Sequence, residues 1–154
     1  MTPAVPEPIV SRASIGGHPL HPMIIHFPVA ALLGLVAVDA AYWVTSDPFW
    51  SRAGLWLAGV GSIGGWVASI AGLVDLLTVA RIRQKITAWC HSILAVMMLS
   101  VATLNWLVRY SEHVTEVSAG GPLLSVLTAV LIALTAALGG RLVYEHAVGV
   151  QATK

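Results

Sequence analysis

Four long apolar stretches, separated by short polar breaks, dominate this sequence. A membrane-spanning helix needs about 20 mostly apolar residues, and such stretches cover residues 23–45, 53–79, 86–110 and 123–143. The breaks between them carry turn residues or charges, in Ser46-Asp47-Pro48, in the basic run 81–85 and in Gly120-Gly121-Pro122. Short links make consecutive helices antiparallel neighbours. The pattern predicts an all-α polytopic membrane protein, a four-transmembrane-helix up-down bundle.

The composition excludes several classes of protein. Charged residues make up 10% of the 154 residues and the mean hydropathy is +0.83, whereas a soluble domain usually carries about 25% charged residues. A net charge of +1 does not favour a nucleic-acid binder. The single cysteine, Cys90, excludes an intramolecular disulfide and any multi-cysteine zinc or iron–sulfur site. We therefore expect a lipid bilayer, and no nucleic acid, around this chain.

The domain organisation follows from the same pattern. Residues 1–17 lack the basic-then-apolar run of a secretory signal, and we expect them to form a flexible N-terminal tail. Residues 18–150 are predicted to form one four-helix transmembrane domain, followed by a C-terminal tail over residues 151–154. We find no convincing internal repeat in the sequence.

The basic residues predict an orientation in the membrane. On the predicted topology, one side carries six of them: Arg12, Arg81, Arg83, Lys85, Arg141 and Lys154. The opposite side carries only Arg52 and Arg109. Because cytoplasmic loops are enriched in Lys and Arg, both termini are predicted to lie in the cytoplasm.

Histidines cluster on that same predicted side. Five of the six histidines fall there, namely His18, His21, His26, His91 and His146, and only His113 is opposite. Ionisable groups within a membrane are expensive and are usually functional. Because His18 and His21 each precede a proline, both are expected to be extended and to form a rigid segment across the mouth of the bundle.

The third span carries a polar stripe. His91, Met98, Asn105 and Arg109 lie within about 40° of one another on a helix, and we expect this stripe to face the bundle interior. Asp39 lies at the same predicted depth as the last two residues. We expect a structural contact between Asp39 and one of them.

Span 2 is rich in glycine. Gly61 and Gly65 form a small-xxx-small motif, which allows close packing of helices in membranes. Glycines such as Gly65 and Gly72 could equally leave room for a flat cofactor.

Four parts of the sequence form a recognisable set: GHPLHPMIIHFPVA at 17–30, GLVDLL at 72–77, His91, and GGRLVYEHAVGV at 139–150. Together they resemble the DUF2231 family of small bacterial membrane proteins. The resemblance implies a four-helix domain in the bacterial inner membrane. It implies no established activity, but relatives can occur beside Rieske-type iron–sulfur domains, which suggests electron transfer. The family motif has Gly after its last His, where this sequence has Ala147.

Our leading hypothesis is a membrane electron-transfer subunit that binds b-type haem at the cytoplasmic side. Haem iron accepts histidine as an axial ligand, and the hypothesis pairs His26 with His91 and, for a second haem, His146 with His21. In this hypothesis, Gly65 and Gly72 would leave space for the haem, and Asp75 would orient a ligating histidine. No CxxCH motif occurs, so haem would bind non-covalently. Electrons would pass between a partner redox protein or quinone and another membrane component, and the protein would not be an enzyme by itself.

Two alternatives remain open from the sequence. In the first, imidazoles bind zinc, copper or non-haem iron. The candidate metal-binding residues are then His18, His21, His26, His91, His146 and Asp75. In the second, the chain is a cofactor-free accessory subunit of a larger membrane complex, and its histidines serve only as hydrogen-bonding groups.

Overall fold

A computed structural model describes residues 7–111 and 118–150. Its elements are a hairpin of β1 (Ser14–Ile15) and β2 (His18–Pro19), then α1 (Leu20–Thr45), α2 (Pro48–Thr78), α3 (Ala80–Arg83), α4 (Ile86–Ser111) and α5 (Gly120–Tyr144). All helices except the short α3 are long and apolar enough to cross a membrane. The predicted four-helix membrane fold is confirmed. His113 and residues 151–154 lie outside the described residues.

The break between α1 and α2 is only two residues long. Ser46 ends α1 in a left-handed conformation with φ of 53°. Asp47 then caps α2, its carboxylate accepting a hydrogen bond of 2.8 Å from the Phe49 backbone N–H, while Pro48 takes the first helical position. Both residues are typical of a helix start, and α2 therefore begins five residues before the predicted boundary.

The start of α1 differs from the prediction. His18 is extended in β2, as expected, but His21 is the second residue of α1. Pro22 follows in the first helical turn, where a missing N–H breaks no helical hydrogen bond. The preference of a pre-proline residue for extended backbone is therefore overridden at His21, whose side chain now projects from a helix.

The four long helices form a square in which α1 and α4 are diagonally opposed. Helix α1 packs against α2 and α5, and α4 packs against the same two helices. Leu32, Leu99 and Ile132 form part of the buried core at the centre. The predicted glycine motif packs against it: a Cβ on Gly61 would lie 2.5 Å from Leu32 Cγ, and Gly65 lies directly against Leu99.

A repeated spacing relates the two helical hairpins, α1–α2 and α4–α5. His21 contacts His91 and Asp39 contacts Arg109, and 70 positions separate the members of each pair. These two contacts indicate an approximate two-fold axis along the bundle. The sequence analysis finds no convincing internal repeat, and the spacing becomes visible only through the contacts. The sequence does not reveal the repeat because equivalent residues often differ in chemistry, as the carboxylate of Asp39 and the guanidinium of Arg109 do.

Asp39 and Arg109 meet on this axis at the far end of the bundle. Arg109 Nη2 donates to both carboxylate oxygens of Asp39 at 2.8 Å, and the two side chains are only 3% and 7% exposed. Arg109 Nε donates to Asn105 at 2.9 Å, and Asn105 in turn donates to Ser125. The expected contact of Asp39 with the polar stripe is confirmed.

The N-terminal strap, residues 9–19, crosses the opposite end of the bundle. Ile9 forms a parallel bridge with Val148, donating to the Ala147 carbonyl at 2.9 Å and accepting from Gly149 N–H at 2.8 Å. Ser11 is also buried and hydrogen-bonds to Asp75. Part of the predicted flexible tail over residues 1–17 thus makes hydrogen bonds to the bundle, and the flexibility of the tail stays a prediction.

Asp39 and Arg109 carry opposite charges at equivalent positions, so exchanging the two residues tests their pairing. The single substitutions Asp39→Arg and Arg109→Asp each bury two like charges, and each is expected to lower the free energy of unfolding by about 3–5 kcal/mol. The double variant restores an ion pair on the axis and should recover more than half of that loss. Unfolding in mixed detergent micelles measures the effect; a double variant no more stable than the singles would contradict the pairing.

Ala147 adopts a left-handed conformation with φ of 50°, which costs about 1–2 kcal/mol for an L-residue other than glycine. Ala147→Gly is therefore expected to raise the free energy of unfolding by about 1 kcal/mol. Ala133→Gly, on an exposed turn of α5, is the control and should lower it by a similar amount. Thermal unfolding of both variants in detergent measures the difference, and a loss of stability at Ala147 would contradict the left-handed backbone.

Candidate functional site

Two histidines approach each other across the bundle axis. His21 projects from α1 and His91 from α4, with ring centroids 6.3 Å apart and ring planes at 89°. Because α1 and α4 are diagonally opposed, the two rings meet across the centre of the bundle and not along the contact between two neighbouring helices. The pair therefore results from the tertiary packing of the two hairpins.

Both rings are held in the same way. His21 Nδ1 lies 2.9 Å from the Ala68 carbonyl oxygen on α2, and His91 Nδ1 lies 2.9 Å from the Thr135 carbonyl oxygen on α5. A carbonyl oxygen can only accept, so Nδ1 carries the hydrogen in each ring. In the neutral imidazole the Nε2 lone pair is then available to a ligand, and within the described residues neither Nε2 has a hydrogen-bond partner.

A glycine lies beside each ring, one helical turn after the carbonyl that fixes it. A Cβ on Gly72 would lie 3.2 Å from His21 Nδ1, and a Cβ on Gly139 would lie 3.2 Å from His91 Cε1. The two glycines are equivalent under the approximate two-fold axis. Gly72 thus gives clearance to the His21 ring and also lines the adjacent cavity, whereas Gly65 packs on Leu99. Clearance for a cofactor at these two glycines stays a prediction.

A cavity of about 560 Å³ surrounds the histidine pair. Its wall is mostly apolar and comes from all four long helices, with His21, His91 and His26 among the polar groups. Ser11 and Pro19 of the strap line its end. The volume lies within the range of about 300–1,000 Å³ typical of small-molecule and cofactor sites.

The other predicted histidines lie elsewhere. His26 lines the cavity but is exposed, His18 is exposed and bonds through Nδ1 to the Gly16 carbonyl at 3.1 Å, and His146 follows the end of α5 outside the cavity wall. The structure therefore brings His21 together with His91, and among the described residues it shows no ring contact of His26 with His91 or of His146 with His21. His26 is five positions after His21, which turns the two side chains about 140° apart on a helix.

The six residues proposed for a non-haem metal do not come together. Within residues 7–111 and 118–150, no three His, Cys, Asp or Glu side chains lie close enough to share a metal ion. Within the same described residues, the Asp75 carboxylate has no hydrogen bond or ion pair to a histidine or to Arg81, and it accepts hydrogen bonds from Ser11, Arg12 and Ala13. Asp75 therefore binds the strap.

Three parts of the site were missing from the sequence analysis. These are the carbonyls of Ala68 and Thr135 and the clearance at Gly139. Backbone carbonyls cannot be recognised from residue identity. However, Gly72 follows Ala68 by four positions, and Gly139 follows Thr135 by the same spacing. A search for paired spacings between hairpins could have found that signal.

The sequence profile of one family, described as predicted membrane proteins, matches residues 17–152. The chain belongs to the DUF2231 family. The DUF2231 match spans all four long helices, both facing histidines and both clearing glycines. No curated protein and no solved structure matches the chain significantly.

Two adjacent glycines of this DUF2231 chain provide a matched test of the histidine environment. A methyl group on Gly139 would press on the His91 ring at 3.2 Å, whereas one on Gly140 would meet Tyr144 at 3.9 Å, an ordinary contact. Gly139→Ala is expected to lower the free energy of unfolding by about 1–3 kcal/mol through overpacking. Gly140→Ala should be neutral or stabilising, because alanine favours helix. Detergent unfolding curves compare them, and equal stabilities would contradict the ring position.

Proposed function

We propose that this DUF2231 protein is a membrane electron-transfer subunit that binds one b-type haem, with His21 and His91 as the axial ligands. The observation that carries this proposal is the facing pair of imidazoles, each with Nδ1 bonded to a backbone carbonyl and Nε2 left available. Haem iron accepts neutral histidine in both axial positions.

The separation of the rings fits one metal atom between them. A metal–nitrogen bond to histidine is about 2 Å long and each ring centre lies about 1 Å further out, so trans imidazoles have centroids about 6 Å apart. The observed separation is 6.3 Å. Ring planes near 90° are compatible with this arrangement, because each imidazole binds through its own Nε2.

The number of protein ligands favours haem over a bare metal ion. Zinc and copper sites usually take three or four protein ligands, whereas the porphyrin supplies four nitrogens and leaves two axial positions to the protein. The described part of the chain brings two imidazoles together and offers no group of three ligands. The apolar cavity around them supplies the wall that a flat macrocycle needs.

Haem bound in this way would supply reversible one-electron transfer at iron. With both axial positions taken by imidazole, no position is left open for oxygen or substrate, which favours electron transfer over catalysis. The Ala68 and Thr135 carbonyls fix the orientation and the tautomer of each ring, as outer partners do for metal-bound histidine. The buried core lies between the histidine pair and Asp39. Electrons would therefore have a shorter route to the histidine pair from the strap end of the bundle.

The same proposal places the protein in the bacterial inner membrane with both termini in the cytoplasm. Exposed Arg81, Arg83 and Arg141 lie at the strap end of the bundle, as the enrichment of basic residues in cytoplasmic loops requires. Arg109 does not count against this orientation, because it is paired inside the bundle. A partner redox protein or a quinone would then exchange electrons with the site at the cytoplasmic end.

The first test is a reduced-minus-oxidised visible spectrum with iron analysis on protein purified from membranes of haem-supplied cells. Wild type is expected to show sharp α and Soret bands with about one iron per chain. His21→Ala and His91→Ala should each lose most of the pigment, while His26→Ala and His146→Ala keep it. The last two variants are matched controls at the same end of the bundle.

Other outcomes distinguish the remaining functions. Pigment lost in His26→Ala but kept in His21→Ala would overturn the assignment of the ligands. Colourless protein with stoichiometric zinc or copper would favour a non-haem metal site. Colourless, metal-free protein that co-purifies with a larger complex would favour the accessory-subunit function.

A further inference from the structure

We infer that the N-terminal strap is a lid over the cavity, latched by Asp75, and that the cofactor enters and leaves at this end. This inference rests on the proposed function, because it concerns access to the same site. It assigns to Asp75 a role in retaining the cofactor without contact with iron.

The latch consists of three hydrogen bonds to one buried carboxylate. Asp75 lies near the end of α2 and is 9% exposed. It accepts from Ser11 Oγ at 2.6 Å, from Arg12 N–H at 2.7 Å and from Ala13 N–H at 2.9 Å. Within residues 7–111 and 118–150, it has no Lys or Arg partner, so its charge is compensated by the strap alone. Hydrogen bonds to a carboxylate are stronger than those between neutral groups.

The strap closes the cavity where the helices do not. Ser11 and Pro19 line one end of the cavity, together with Val148 and Gly149 from the segment after α5. Ile9 joins these two non-helical segments through its bridge to Val148. At the other end of the cavity, core residues of the helices close it. The strap is therefore a non-helical part of the wall, which can open without unpacking a helix.

Few contacts besides the latch hold the strap down. Ile9 is buried, but Val10 and Ile15 are largely exposed, so most of the apolar surface of the strap faces outward. Segments with little buried apolar surface open at low free energy. Ile9 and the Asp75 carboxylate thus fasten the lid itself, and Arg81 holds the residues directly before it through exposed hydrogen bonds to the carbonyls of Glu7 and Pro8.

The approximate symmetry of the bundle supports a special role for this acid. The position on α5 equivalent to Asp75 is Leu142, which packs in an apolar cluster with Leu76 and Ile82. The helical repeat therefore packs well without an acid at this place. Of these two equivalent positions, only Asp75 carries a carboxylate, and its side-chain hydrogen bonds go to Ser11, Arg12 and Ala13 of the strap.

The rate of haem loss tests the lid. Purified haem-loaded protein in detergent is mixed with excess apomyoglobin, which captures released haem, and the rate is followed by absorbance. Asp75→Ala is expected to release haem at least about tenfold faster than wild type, since all three hydrogen bonds are lost. Ser11→Ala, which removes one of them, should give a smaller increase. Glu145→Gln is the control, because it removes an exposed carboxylate at the same end that pairs with Arg141 and not with the strap.

Hydrogen exchange provides a second measurement that needs no haem. The amides of Arg12 and Ala13 donate to Asp75, so their exchange should accelerate at least about tenfold in Asp75→Ala and stay unchanged in Glu145→Gln. Unchanged exchange within α4 shows that the bundle remains folded. Equal strap exchange in wild type and Asp75→Ala overturns the latch, whether or not haem binds.

The two measurements separate the failure of each proposal. If wild type binds haem but Asp75→Ala releases it at the wild-type rate, the lid is wrong and the haem site stands. If wild type binds no haem, the proposed function fails, and accelerated strap exchange in Asp75→Ala would still support a lid over the cavity.

Discussion

Lipid offers no hydrogen bonds, so each polar group inside this bundle must find its partner within the protein. Each helix satisfies the hydrogen-bonding groups of its own backbone, but the side chains of Asp39, Asp75 and the two facing histidines need specific hydrogen-bonding neighbours. Asp39 finds Arg109, Asp75 finds the strap, and His21 and His91 find backbone carbonyls. An unpaired polar group at such places costs several kcal/mol, which makes these contacts decisive for how the helices pair and where the chain segments between them lie.

The approximate two-fold axis explains why two of these contacts lie where they do. Residues at equivalent positions of α1 and α4 face each other across the axis. At one end this brings together two identical rings, whose Nε2 atoms have no hydrogen-bond partner in the described part of the chain. At the other end identical residues would repel or leave a void, and there the two halves carry opposite charges, Asp39 and Arg109.

The sequence predicts the parts of this structure that depend on composition and depth. Apolar runs of sufficient length identify the four helices, and counting turns along two antiparallel helices places Asp39 level with Arg109. The contact of His21, and not of His26, with His91 could not be predicted in this way. It depends on α1 starting at Leu20, before the predicted span. His21 therefore lies on a helix, whereas the preference of residues before proline predicts an extended backbone there. The partner of Asp75 lies 64 residues away in Ser11, and no local pattern encodes such a contact.

The charges at the far end also determine which hairpins can assemble. Two α1–α2 hairpins from different copies, joined about the same axis, would bury two Asp39 carboxylates against each other, and two α4–α5 hairpins would bury two Arg109 guanidinium groups. Like charges in such a position cost several kcal/mol. Each hairpin is therefore compatible only with the unlike half of the chain, and the polypeptide excludes exchange of identical halves between molecules during membrane insertion.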